Sequence, residues 1–93
     1  MTTETHHAAV RAQQRAIPPF AEFLLDEFGE RLYDGHGAVR VFFSRRSIRR
    51  MEQSWGRRPV AKLSEYFGVY RIEDSRDGSI ITVGHRSGPM KRR

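Results

Sequence analysis

The chain contains no cysteine, and its hydrophobic stretches are short. Without cysteine, no disulfide and no cysteine-based zinc site can staple the fold, which removes the small secreted disulfide scaffolds and the zinc ribbons. Apolar runs reach only three residues, as in Val41-Phe42-Phe43, or six over Ala38 to Phe43 if Arg40 is tolerated. Either is far below the roughly 20 residues that cross a bilayer, so no membrane contact is expected. Met1 to Ala9 has neither a basic region nor an apolar segment of the kind a signal peptide needs, and the chain reads as cytoplasmic. Also missing are a P-loop, a nucleotide glycine fingerprint and a defensible Ser/His/Asp order, so no cofactor is expected.

What is present is positive charge. Seventeen Lys and Arg face eleven Asp and Glu in 93 residues, a net charge of +6. Residues 1–37 hold three basic and six acidic side chains, net −3. Residues 38–62 hold eight basic side chains against Glu52 alone, net +7, and residues 63–93 add net +2. Asymmetry of this kind marks a face built for an anionic partner. Fifteen of the seventeen are arginine, although high genomic GC content would give the same bias.

The length suits one domain, 17–86, flanked by a flexible or frayed tail over 1–16 and a basic tail over 87–93. A chain this short buries only roughly 60% of its unfolded surface, which leaves room for a protein partner or a homodimer. In the first tail His6-His7 invites a metal reading. No carboxylate or third imidazole is spaced to complete a site, so no metal is assigned.

Pro18-Pro19 suits a helix start. Phe20, Phe23, Leu24 and Phe28 then mark one face of an amphipathic helix, with Gly29 as its cap or Glu30-Arg31-Leu32 as one more turn. Tyr33 to Gly37 reads as a loop on glycine content; His36 with Asp34 there is a weak general base, more simply a solvated pair. Ala38 to Phe43 is a strand by alternation. Ser44 can cap a helix over 45–55 with Ile48, Met51 and Trp55 inward. Gly56 interrupts it, and Pro59 restarts a second helix carrying Val60, Leu63 and Phe67 to a stop at Gly68. Val69 to Glu73 and Ser79 to Gly84 are strands joined through the Asp77-Gly78 hairpin signal. The expected fold is therefore α+β: an N-terminal helix, a strand, a helical pair and a C-terminal β-hairpin, making a small antiparallel three-stranded sheet.

On a helical wheel Ile48, Met51 and Trp55 span a narrow arc. Arg46, Arg49, Arg50, Gln53 and Arg57 lie opposite, if the helix runs on to Arg57. Like charges at i and i+4 (Arg45/Arg49, Arg46/Arg50) destabilise an isolated helix, a cost that a polyanion relieves. A guanidinium is a planar fork suited to phosphate oxygens. Arg46, Arg49, Arg50 and Arg57, with Arg58 and Lys62 at the margin, are thus the expected nucleic-acid contacts. The plainer reading is a solvated basic face, or one that meets the acidic first helix or an acidic protein surface. Tyr33 and Tyr66 are the aromatics worth examining for exposure.

The stretch Val69 to Arg86, ending in Val83-Gly84-His85-Arg86, resembles the C-terminal strands of RelE/ParE-like toxins. The order of strand, helical pair and antiparallel strands over 38–86 is similar to theirs. The chain departs from that pattern in offering two strands after the helices instead of three, and in its 37 preceding residues. The resemblance implies an RNA target in preference to DNA, and in the ribonuclease branch attack of a 2′-OH on the adjacent phosphate. His85 would then be the acid/base, with Arg86 and Arg71 as phosphate clamps and Tyr70 or Tyr66 as a weaker acid. The plainer reading of His85 is a strand-end histidine bonded to a backbone carbonyl.

Overall fold

The structure, a computed structural model, describes residues 17–86. The tails over 1–16 and 87–93, His6-His7 among them, lie outside the described residues. The chain is α+β, with helix α1 (Pro19–Phe28), strands β1 (Glu30–Tyr33) and β2 (Ala38–Phe42), and helices α2 (Arg45–Trp55) and α3 (Arg57–Ala61). A short 3-10 turn (Ser64–Tyr66) leads into strands β3 (Val69–Asp74) and β4 (Ile80–His85). The sheet has four antiparallel strands in the order β1-β2-β3-β4, with the helical pair inserted between its two central strands.

The additional strand is β1. Glu30-Arg31-Leu32 forms no further helical turn, because Gly29 takes an extended conformation and redirects the chain. The following loop is a tight hairpin turn. Asp34 accepts hydrogen bonds from the amides of His36 (2.6 Å) and Ala38 (3.1 Å), and Gly35 and Gly37 supply φ of 81° and 96°. Asp34 and His36 thus meet through the His36 backbone amide, and these bonds hold the Asp34 carboxyl below its ordinary pKa.

Side chains alternate across a strand, and direct cross-strand partners share a face. The register Arg31↔Val41, Val41↔Arg71 and Arg71↔Val83 therefore puts Arg31, Val41, Arg71 and Val83 on one side. The helices cover that side. Its core joins Ala21, Leu24 and Leu25 of α1, Met51 of α2 and Val60 of α3 to Val41, Val69 and Val83 of the sheet. Each fully buried aliphatic side chain contributes about 1.5–3 kcal/mol.

The buried stripe of α1 is Ala21, Leu24 and Leu25 with Phe28 partly covered, not the stripe expected from its aromatics. Phe20 and Phe23 stack on each other at 6.1 Å and stay 44% and 47% exposed. Trp55, expected inside, is 40% exposed and meets Phe28 edge-on at 5.0 Å. The second helix is also shorter than expected. It ends at Ala61, and the 3-10 turn carries the chain on while Val60 and Phe67 still reach the core.

The last strand ends beside Gly68. Arg86 N donates to Gly68 O at 2.8 Å, and a Cβ on Gly68 would fall on the Arg86 carbonyl oxygen. Gly68→Ala is thus expected to cost about 2 kcal/mol or more, since backbone must move. Gly35→Ala, at positive φ but in open space, should cost only the left-handed backbone penalty of about 1–2 kcal/mol. Urea denaturation of the two variants checks the ranking, and equal stabilities would contradict the close approach.

Candidate nucleic-acid interface

Helix α2 begins where Ser44 leaves β2. Ser47 N donates to Ser44 Oγ at 3.1 Å and Ser44 N donates to Ser47 Oγ at 3.1 Å, a reciprocal capping box. Ser44 Oγ also donates to Glu30 Oε1 at 2.6 Å, which ties the helix start to β1. Met51 and Ser47 are buried and Ile48 is partly so, fixing the rotation of the helix. That rotation leaves Arg45, Arg46, Arg49, Arg50 and Gln53 exposed.

The helix stops at Trp55. Gly56, at φ 90°, is both its C-terminal cap and the start of α3, so Arg57 opens a new helix and does not extend the α2 stripe. Arg57, Arg58 and Lys62 are exposed along this second segment. Among the described residues, the ion pairs are Arg31–Glu73, Arg71–Asp26, Arg71–Glu73 and Arg76–Asp74. None of them involves a cation of α2 or α3.

The acids that do pair are committed elsewhere. Under α1, Arg71 Nε donates to Glu73 Oε2 at 2.7 Å and Arg71 Nη2 donates to Asp26 Oδ1 at 2.7 Å. Arg31 Nη2 reaches Glu73 Oε1 at 2.6 Å. Arg71 and Glu73 are both about nine-tenths buried, so this is a chain of charges inside the α1–sheet interface. Burial pulls the Arg71 pKa down. The hydrogen bond and charge of Asp26, with Glu73 beside it, outweigh that and leave the pKa raised. At the β3–β4 turn, Arg76 holds the Asp74 carboxyl down at about 2, chiefly by its side-chain hydrogen bond.

The expected site residues separate into three places. Arg46, Arg49 and Arg50 line α2, with Arg57, Arg58 and Lys62 following on. Arg71 lies beneath α1, its guanidinium occupied by two carboxylates. His85 and Arg86 are exposed at the end of β4, the outer strand opposite β1. His85 Nε2 lies 2.9 Å from the Glu65 carbonyl oxygen, which can only accept, so that nitrogen carries the proton and donates. This is the backbone bond of the plainer reading. Tyr66 is partly buried and meets Phe20 edge-on at 5.9 Å, whereas Tyr33 is exposed. Tyr70 lies across Gly84, where a Cβ would overlap its phenol.

One cation escaped the sequence reading. Arg31 stands beside Arg46 and Arg50 at a polar cleft between α2 and the start of β1. The signal that could have found it is the unrecognised strand, since Asp34-Gly35 followed by Ala38 to Phe43 is itself a hairpin pattern. Among the described residues, no cluster of three or more His, Asp or Glu could hold a metal ion, and no helix is long and apolar enough to cross a membrane.

Compared with protein-family models, curated proteins and solved structures, the chain matches none of them.

The buried charge chain carries its own expectation. Arg71→Ala should cost about 3–5 kcal/mol, because it removes a guanidinium that is itself buried and that both Glu73 and Asp26 share. Arg31→Ala, at a pair with one side chain 56% exposed, should cost about 1 kcal/mol or less. Chemical denaturation of both variants tests this, and a near-wild-type Arg71→Ala protein would contradict it.

Proposed function

We propose that the protein binds nucleic acid by laying α2 against backbone phosphates, with Arg46, Arg49 and Arg50 as the principal contacts. Arg45 stands next to them, and Arg57, Arg58 and Lys62 extend the contact along α3. One observation carries the reading: the exposed guanidiniums of α2 have no ion-pair partner among the described residues, although ten described carboxylates exist to neutralise them. A merely solvated helix intersperses both signs. This one holds four arginines and a single glutamate in eleven residues.

Such contacts fix a protein on a phosphate backbone without reading sequence. The preference for RNA and any toxin activity rest on the resemblance to RelE/ParE-like proteins. Of the catalytic set it implies, His85 and Arg86 lie at the surface and are the residues to replace. On that second reading, separate from the α2 surface, induced expression arrests growth and His85→Ala with Arg86→Ala relieves it. Harmless expression with intact mRNA would count against the enzyme.

Four phosphate contacts, by Arg46, Arg49, Arg50 and Arg57, predict a slope of log K against log salt of about −3 on a single strand. Fluorescence anisotropy with a labelled single-stranded RNA across a salt series measures it. Replacing Arg46, Arg49 and Arg50 with Glu should abolish binding while leaving stability within about 0.5 kcal/mol, since all three are exposed. Salt-independent binding, or a triple variant that binds like wild type, would overturn the proposal. A pull-down complex that survives nuclease would favour an acidic protein surface as the partner.

A further inference from the structure

The cleft between α2 and β1 is lined by Gly29, Glu30, Arg31, Arg46, Ser47 and Arg50 and has a volume of about 370 Å³. Its three arginines come from two elements. Arg46 and Arg50 stand one turn apart on α2, and Arg31 approaches from the outer strand β1. Ser47 is held by the capping box, which fixes the α2 wall.

Arg31 is the member with a fixed aim. Its Nη2 donates to Glu73 Oε1, and Glu73 is in turn held by Arg71, which is held by Asp26. Arginine on a four-rotor stem normally loses freedom when it binds; here the protein interior has already ordered it. A guanidinium has five N–H donors, and the bond to Glu73 engages one nitrogen, so the fork keeps donors to spare. The side chain remains 56% exposed.

A tetrahedral phosphate accepts hydrogen bonds from several directions, and three arginines line this one polar cleft against a single carboxylate, Glu30, which accepts from Ser44 Oγ at 2.6 Å. We propose that this cleft seats one phosphate group of the bound strand, with Arg31, Arg46 and Arg50 as its ligands and Glu73–Arg71–Asp26 as the chain that positions Arg31. The inference rests on the nucleic-acid reading above and adds to it a residue outside the helix. The cleft is wider than a phosphate alone, so the group is either an internal phosphodiester with its sugar or a terminal phosphomonoester.

The test uses the full chain as wild type, Arg31→Ala and Arg31→Lys, with single-stranded RNA carrying or lacking a 5′-phosphate. Arg31→Ala should weaken binding about tenfold at low salt and reduce the steepness of the salt slope by about one. Arg31→Lys should restore the slope but not the full affinity, because it returns the charge without the fork. A 5′-phosphate that tightens wild-type binding but not Arg31→Ala binding assigns the cleft to a terminal phosphate. Equal affinity for both RNAs, with the Arg31→Ala loss present, assigns it to an internal one. Unchanged affinity and slope in Arg31→Ala, while the α2 triple variant fails to bind, would overturn the cleft and leave the helix reading standing. Should wild type bind no RNA, the helix reading fails. A titration with inorganic phosphate followed by ¹⁵N NMR then decides the cleft: saturable shifts at Gly29, Ser47 and Arg31 Nε support it, and their absence refutes it.

Discussion

Beneath α1, Asp26, Arg71, Glu73 and Arg31 form a continuous chain of charges. It joins α1 to β3 and β3 to β1, with Arg31 and Glu73 lying on the same face across the intervening β2. Arg71 and Glu73 are buried while Asp26 and Arg31 reach solvent at the two ends, so the desolvation cost falls on the inner pair, and only close, well-directed hydrogen bonds recover it. The bonds are 2.6–2.7 Å, and no buried side-chain donor or acceptor among the described residues lacks a partner. The chain also gives α1 a defined seat on a sheet whose covered face would otherwise be uniformly apolar. That face buries valines from three strands beside Arg71 and Glu73, so helix register and charge pairing are set together.

The ion pairs of the surface lie elsewhere. Asp26 and Glu73 pair with Arg71 and Arg31, and Asp74 with Arg76, while the exposed arginines of α2 have no ion-pair partner among the described residues. The helical pair, with Lys62 directly after it, thus carries an exposed basic surface of seven of the eight cations of residues 38–62, Arg40 lying in β2. Its position follows from Met51 and Ser47 facing inward and from the capping box that starts the helix. Packing and capping agree on one orientation of α2, the consistency across levels that a foldable sequence shows.

Helix α2 was legible to its ends, because Ser44, Gly56 and the apolar spacing of Ile48 and Met51 are strong local signals. Its buried Ser47 was not, since a polar residue at the third helical position reads as surface until its bond to Ser44 is seen. Strand β1 escaped because four residues directly after a helix carry too little alternation to outweigh the helical pattern, despite Asp34-Gly35. Bulk misled in α1: Phe20 and Phe23 outweigh Ala21 on any wheel, yet small Ala21 lets the helix approach the sheet. The role of Arg71 was hidden for a different reason. Its partner Asp26 lies 45 residues away, and no local pattern shows which face of β3 turns inward.

The central claim is that the anion-binding surface is the α2–β1 side, not the end of β4. A ¹⁵N NMR titration with single-stranded RNA locates it most directly. The account predicts saturable, salt-sensitive shifts over Ser44 to Lys62 and at Arg31, with His85 and Arg86 unmoved. Shifts centred on His85 and Arg86, with α2 silent, would contradict it.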